Sequence, residues 1–140
     1  MKIAVIDGQG GGIGKHIVER LRANLSVDAH ILALGTNALA TAAMLKAGAN
    51  EGATGENAIA FNADRVDVIV GPIAIILAFS MLGELTPKMA EAISKSPAKK
   101  ILLPINKNNV EIVGVKNEPL PHLVGHIVEE LKVMEDEENV

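Results

Sequence analysis

The residues best suited to chemistry lie between Asp7 and Lys15, where five glycines occur within the seven positions 8–14. Because glycine has no Cβ, such a run lets backbone N–H groups approach an anion closely. A helix that begins at the end of the run adds about half a positive charge at its N-terminus. A tight turn without a ligand needs fewer glycines, so the run favours a phosphate-binding turn. We expect ligand contacts from Asp7, Gly8, Gln9, Gly10, Gly11, Gly12, Ile13, Gly14 and Lys15.

Side chains for catalysis are sparse elsewhere in the chain. There is no cysteine and no tyrosine, which excludes a thiol nucleophile, a thiolate metal site and a tyrosine acid. Asp7, Lys15 or Glu84 could serve a small enzyme, but no pair of histidine and carboxylate is evident, so enzymatic activity stays open. His122 and His126 have the spacing of a metal pair, yet they lie opposite the apolar stripe of their predicted helix. We therefore predict no metal site.

Composition excludes several classes of partner. The net charge is −4 and basic residues never cluster beyond a pair, which argues against a nucleic-acid partner. The longest apolar stretch, Val66–Leu82, is interrupted by polar residues and glycine, and it is shorter than the roughly 20 residues that span a bilayer. We predict no membrane segment. Met1-Lys2-Ile3 leads directly into a strand pattern, which leaves no room for a signal peptide, so we expect a cytoplasmic protein.

Short β-branched apolar runs alternate with helical spacing along the chain, which is typical of a parallel, doubly wound α/β sheet. We predict about five strands, at 2–6, 29–34, 67–70, 100–105 and 110–115. Right-handed crossovers favour the order 2-1-3-4 for the first four. The short connection Asn106–Asn109 predicts that the fifth strand pairs antiparallel at the edge. Asn50–Asn57 is polar and contains glycine, so we predict a loop there. Residues 1–134 form one predicted domain, followed by an acidic tail, 135–140.

The ligand crevice of such a sheet lies beyond the carboxyl ends of the strands, where the winding reverses. This rule brings the glycine turn together with the ends of the second and third strands. We expect further ligand contacts from Gly35, Thr36, Asn37, Gly71 and Pro72, and from Thr54 in the neighbouring loop. Asp7, at the end of the first strand, would bind Mg²⁺, a ribose or an amine, or would only cap the turn.

The spacing Gly8-x-x-x-Gly12-x-Gly14 resembles the turn of the short-chain dehydrogenases, over residues 1–25, and Asp67–Val70 is similar to a later strand of that family. The resemblance implies NAD or NADP as the cofactor, with another adenine nucleotide as the alternative. The family's catalytic Tyr-x-x-x-Lys is impossible without a tyrosine. The second strand also ends without an acid for the ribose or an arginine for a 2′-phosphate. The reductase chemistry of that family is therefore excluded.

Gly11-Gly12-Ile13-Gly14-Lys15 also resembles part of the deviant Walker motif of the partition and iron–sulfur-carrier ATPases. This resemblance implies a switch of the NTPase type, in which Lys15 neutralises phosphate charge. The hydroxyl residue expected next, which would bind Mg²⁺, is His16, and position 10 is Gly rather than Lys. The geometry for a metal-bound triphosphate is therefore incomplete.

Nearly the whole chain, from KIAVIDGQGGGIGK through LGTNALAT to MLGELTPKMAEAI and beyond, resembles a bacterial family known only as a domain of unknown function. The resemblance implies a Rossmann-like fold and no particular activity. We therefore predict a nucleotide- or dinucleotide-binding protein with a role in sensing or cofactor handling. A small NAD(P)-dependent enzyme and the NTPase-like switch are the alternatives.

The stretch Pro72–Leu82 is too apolar for an exposed loop. It either covers the crevice as a lid or packs against another subunit, because large apolar patches usually mark interaction surfaces. We predict a homodimer or larger assembly through this stretch, since a closed two-fold contact needs only one self-complementary patch.

Overall fold

Four apolar runs of the sequence and one polar segment form a five-stranded sheet whose neighbouring strands are all parallel. This computed structural model describes residues 1–105 and 109–139. The strands are β1 (Lys2–Asp7), β2 (His30–Gly35), β3 (Glu51–Thr54), β4 (Val68–Pro72) and β5 (Lys99–Leu103). Their order across the sheet is β3-β2-β1-β4-β5. The central strands β1 and β4 are buried along nearly their whole length, as expected of a parallel sheet covered on both faces.

Helices cover both faces of the sheet. They are α1 (Gly12–Asn24), α2 (Ala38–Ala47), α3 (Glu56–Asn62), α4 (Pro87–Lys95) and α5 (Leu120–Glu138). Side chains of α1, α2 and α5 pack into one aliphatic core, and those of α3 and α4 pack into a second core on the opposite face. The strand order and the two helical layers together make this a Rossmann-like α/β fold, as the sequence predicts at that level.

The edge strand β3 replaces part of the loop predicted at Asn50–Asn57, which is a correction. Residues Glu51 to Thr54 pair in parallel with β2, from Leu32↔Glu51 to Gly35↔Thr54. Their side chains are mostly exposed, so the segment lacks the apolar pattern that marks a buried strand. Backbone hydrogen bonds to β2 hold this strand in the sheet, and the pattern of side chains in the sequence does not reveal such pairing.

The antiparallel edge strand predicted at 110–115 is wrong. Within the described residues this segment belongs to no strand, Val113 is 94% exposed, and Gly114 has a left-handed φ of 89°. The edge of the sheet beyond β4 is β5, which pairs in parallel. Most of the connection predicted at Asn106–Asn109 lies outside the described residues. The predicted order, 2-1-3-4 with an antiparallel fifth strand at the edge, therefore differs from the observed order. The prediction omits β3 and includes a strand at 110–115 that does not form among the described residues.

The helix α5 continues through most of the segment predicted as an acidic tail. The Glu135 carboxylate accepts a hydrogen bond from the Ser26 N–H (3.0 Å), and the Glu138 carboxylate pairs with the N-terminal ammonium of Met1 (2.9 Å). These contacts tie the acidic end of α5 to the start of β1 and to the end of α1. Among the described helices, none combines the length and apolarity needed to cross a bilayer.

Candidate functional site

The candidate site is the crevice at the carboxyl end of β1, between β2 and β4. The chain leaves β1 toward β2 on one side, and later strands are added beyond β4 on the other. The winding therefore reverses between β1 and β4, which is where open α/β sheets bind ligands. The structure places the glycine turn at this point, since the turn follows β1 directly and α1 begins within it, at Gly12.

Three of the five glycines are required by the fold. Gly11 has a left-handed φ of 74°, and a Cβ there would lie 2.8 Å from the Ala40 backbone. A Cβ at Gly14 would lie 2.6 Å from the sulfur of Met44, and a Cβ at Gly8 would collide with several side chains. These positions must be small because the turn packs closely against α2 and the surrounding chain.

The other two glycines, Gly10 and Gly12, have no such requirement. A Cβ at either position would meet no atom within 4 Å, and neither has a left-handed φ. Both residues are exposed. Their N–H groups donate no hydrogen bond within the part of the chain that the structure describes. The turn thus has a packed side and an open side, and the open side presents unpaired backbone donors.

Asp7 lies on the packed side, beneath the turn. It is 4% exposed, and its carboxylate accepts a hydrogen bond from the Gly14 N–H at 2.7 Å. Burial raises the pKa of Asp7, and the charge of Glu84 adds to this effect. Hydrogen bonds from the N–H groups of Gly14, Gly8 and Ile13 only partly oppose it. Asp7 therefore caps the turn, which is one of the roles that the sequence predicts for it.

The end of β2 forms the second wall of the crevice. Asn37 caps α2 by accepting a hydrogen bond from the Ala40 N–H (2.9 Å), and its amide donates to the Gln9 carbonyl (2.9 Å). Thr54 joins this wall through Thr41, whose hydroxyl lies 2.8 Å from that of Thr54. The structure therefore brings the end of β3 next to the end of β2.

Glu84 enters the crevice from the connection between β4 and α4. One carboxylate oxygen, Oε1, accepts hydrogen bonds from the Gln9 N–H (2.8 Å), the Thr36 hydroxyl (2.6 Å) and the Asn37 amide (2.8 Å). Burial acts to raise the pKa of Glu84, but the three hydrogen bonds outweigh it and the pKa is lowered. The carboxylate thus joins the glycine turn to the end of β2.

Comparison with known proteins identifies the family. A family model described as a domain of unknown function, DUF3842, matches residues 2–136. The chain belongs to the DUF3842 family. The resemblance predicted from the whole sequence is thereby confirmed. Searches of curated proteins and of solved structures gave no match to this DUF3842 chain.

The remaining predicted contacts of the DUF3842 chain divide into buried and exposed positions. Gly71 and Pro72, at the end of β4, are buried. A Cβ at Gly71 would strike the Ile6 carbonyl, so this glycine serves the close approach of β1 and β4. Lys15 is exposed in the first turn of α1 and forms no ion pair within the described residues. Its ammonium is therefore available to a ligand.

The long connection 73–86 packs across the crevice. It begins with a 3₁₀ turn, Ile73–Ile76, in which Ile75 is completely buried, and it ends at the buried Leu85. The Ser80 hydroxyl donates to the Ala74 carbonyl at 2.5 Å and is itself buried. Much of the predicted Pro72–Leu82 patch is thus packed inside the chain. Two large side chains remain exposed, Phe79 (72%) and Leu82 (97%).

Sequence reasoning missed the position of Glu84 and one feature of His16. The sequence suggests Glu84 only as one of three groups that could serve a small enzyme. No periodicity shows that the 14-residue connection carrying Glu84 folds back onto the turn. His16 follows Lys15 in α1, and its Nε2 is buried without a hydrogen-bond partner in the described structure. The one available signal for Glu84 was the absence of an acid at the end of β2.

Proposed function

We propose that this protein binds a nucleotide, with NAD or NADP as the ligand and another adenine nucleotide as the alternative. Its role would lie in sensing or cofactor handling. One observation carries the proposal. Gly10 and Gly12 are glycines that neither the backbone nor the packing requires, and both face open space at the start of a helix. Close approach of a ligand to the backbone accounts for them.

The electrostatics of the turn support an anionic ligand. The N-terminus of α1 carries a partial positive charge, and the exposed ammonium of Lys15 lies in the same helical turn. Asp7 satisfies the Gly14 N–H from beneath the turn. The N–H groups of Gly10 and Gly12 donate no hydrogen bond within the described residues and stay available. A phosphate on the open side would accept hydrogen bonds from these groups and pair with Lys15.

The spacing of the turn favours a dinucleotide over a metal-bound triphosphate. Gly8, Gly12 and Gly14 occur in a strand–turn–helix unit beside the switch point of the sheet, which is the setting of dinucleotide binding. The residue after Lys15 is His16 rather than the hydroxyl residue that would bind Mg²⁺. An NTPase-like switch is therefore the weaker candidate.

The site gives little support to an enzyme. Asp7 is buried beneath the turn, and Glu84 is engaged by three donors through one oxygen. Those three hydrogen bonds lower the pKa of Glu84 and so make its carboxylate a weak base. A small NAD(P)-dependent enzyme remains the alternative function, and turnover of the cofactor by the purified protein would favour it.

Replacing Gly12 with Val tests the proposal. The new side chain would occupy the open side without touching the fold, so binding should be abolished while the thermal unfolding profile is kept. Isothermal titration calorimetry with NAD, NADP and ATP measures the binding. Gly125→Val is the matched control, because Gly125 is also helical, with the Arg20 guanidinium 3.6 Å from an added Cβ, and it lies away from the turn. Undiminished affinity in Gly12→Val would place the ligand elsewhere.

A further inference from the structure

The end of β2 lacks the acid that dinucleotide-binding folds place there. In such folds an Asp or Glu at this position accepts a hydrogen bond from the ribose 2′-hydroxyl. Here β2 ends in Gly35, followed by Thr36 and Asn37. Neither residue can supply a carboxylate, and neither carries a cation for a 2′-phosphate.

Glu84 brings a carboxylate to this same place from another part of the chain. Its Oε1 lies 2.6 Å from the Thr36 hydroxyl and 2.8 Å from the Asn37 amide nitrogen. It also lies 2.8 Å from the Gln9 N–H, at the start of the glycine turn. The carboxylate therefore bridges the start of the glycine turn and the end of β2.

The three donors fix the carboxylate and leave one oxygen free. All three hydrogen bonds go to Oε1, and Oε2 accepts none within the described residues. Glu84 is only partly buried, so a ligand in the crevice can reach it. A fixed, partly open carboxylate oxygen is an acceptor for hydroxyl groups and repels a second anion.

We propose that Glu84 recognises the adenosine ribose and selects NAD over NADP. The inference rests on the proposed function, since it assigns a subsite of the same crevice. A free 2′-hydroxyl donates to the carboxylate. A 2′-phosphate would instead bring negative charge against it, with no arginine or lysine among residues 35–37 to compensate. The selecting residue thus comes from the β4–α4 connection and not from β2.

The test is calorimetric titration of the full chain with NAD and with NADP. The wild type should bind NAD at least about tenfold more tightly than NADP, the effect of one hydrogen bond to a charged group. Glu84→Gln keeps an acceptor for the three donors and removes the charge, so the preference should fall to about threefold or less. Glu84→Ala should lose the preference as well. Glu91→Gln removes an exposed carboxylate on α4 and should keep the wild-type ratio.

The outcomes separate the two proposals. One outcome is that the ratio of the NAD affinity to the NADP affinity is the same in the wild type and in Glu84→Gln. That result would overturn the ribose assignment and leave the proposed function standing. Tighter binding of both cofactors by Glu84→Ala would also overturn it, because the carboxylate would then act as a plug that the ligand displaces. Failure of the wild type to bind any nucleotide would overturn the proposed function and this assignment together. Circular dichroism of each variant confirms that it is folded.

Discussion

Two connections from a strand to a helix meet at the crevice, and they are built in opposite ways. β1 reaches α1 through residues 8–11, whereas β4 reaches α4 through residues 73–86. The short connection enters the left-handed region at Gly11, where there is no Cβ, and at Gln9. The long connection enters it at three non-glycine residues, Phe79, Met81 and Leu82. Each such residue costs about 1–2 kcal/mol of backbone strain.

Buried anchors hold the strained connection in place. The buried Ser80 is bonded to the Ala74 carbonyl, and the Phe79 N–H donates to the carbonyl of the fully buried Leu85 at 2.7 Å. At the end of this connection Glu84 lies against the turn, where its carboxylate accepts a hydrogen bond from the Gln9 N–H. The short connection therefore supplies backbone N–H groups to the crevice, and the long one supplies a charge.

The largest effect that we expect concerns assembly through the long connection. The homodimer or larger assembly predicted through Pro72–Leu82 remains a prediction, and within that stretch Phe79 and Leu82 are the large side chains that the structure leaves exposed. Burial of such side chains stabilises an interface by about 1.5–3 kcal/mol each. Light scattering at micromolar concentration should give a dimer mass for the wild type. The double variant Phe79→Ser, Leu82→Asn should give a monomer mass.

Val27→Asn is the matched control for assembly, because Val27 is 87% exposed in the connection between α1 and β2, at the other end of the sheet. It should keep the dimer. A monomer mass for the wild type would show that the long connection acts within one chain only, as a cover on the crevice.

A substitution on the packed side of the short connection should lower the free energy of unfolding. Gly14→Ala places a Cβ 2.6 Å from the Met44 sulfur and 2.9 Å from Asp7 Cβ. Overpacking of this kind lowers the free energy of unfolding by about 1–3 kcal/mol. Gly12→Ala, two residues away on the open side, should leave it unchanged or raise it by up to about 1 kcal/mol, because alanine favours the helix. Urea unfolding measures both, and equal losses would contradict the division into two sides.

The fold was predictable where an element's own apolar pattern shows which of its residues are buried. The apolar runs of β1, β2 and β4, and the helical spacing of α1, follow from local patterns. The edge strand β3 was not predictable in this way, because Gly52 and its exposed neighbours pair with β2 only through their backbone. Val110–Val115 shows the opposite failure, because its apolar residues form no strand among the described residues.

The candidate site was predictable in part for the same reason. Asp7 through Gly14 and the end of β2 follow from chain order and the rule for parallel sheets. The separation of Gly10 and Gly12 from the packed glycines depends on what lies around each Cβ, which the sequence does not show. The position of Glu84 depends on how residues 73–86 fold back, and no local pattern records that path.

A smaller effect is expected from Lys15, on the open side of the turn. Lys15→Ala should weaken nucleotide binding by about 1–2 kcal/mol, the range for a hydrogen bond to a charged group. Its flexible ammonium acts as a point charge toward phosphate. Calorimetry measures the change, with Lys46→Ala, an exposed lysine in the last turn of α2, as the control. Loss of a turnover activity with unchanged affinity would instead favour the enzyme.

The smallest effect is expected in the pH dependence of stability, where Asp7 and Glu84 should act with opposite sign. Folding raises the pKa of Asp7 above its ordinary 3.8. The contribution of this carboxyl to stability therefore falls as the pH rises from that value through the raised pKa. Folding lowers the pKa of Glu84 below its ordinary 4.5. Its contribution is present above that value and is lost as the pH falls through the lowered pKa.

Urea unfolding of the wild type, Asp7→Asn and Glu84→Gln from acidic to neutral pH measures the two contributions. The free energy of unfolding of Asp7→Asn should rise relative to the wild type as the pH increases, because this variant has no charge to bury. That of Glu84→Gln should fall relative to the wild type over the same change, because its three donors face a neutral oxygen. For each variant, the difference from the wild type in the free energy of unfolding is plotted against pH. Slopes of the same sign for the two variants would mean that the two carboxyls have similar environments. The contrast between a carboxylate buried beneath the turn and one held across its mouth would then be wrong.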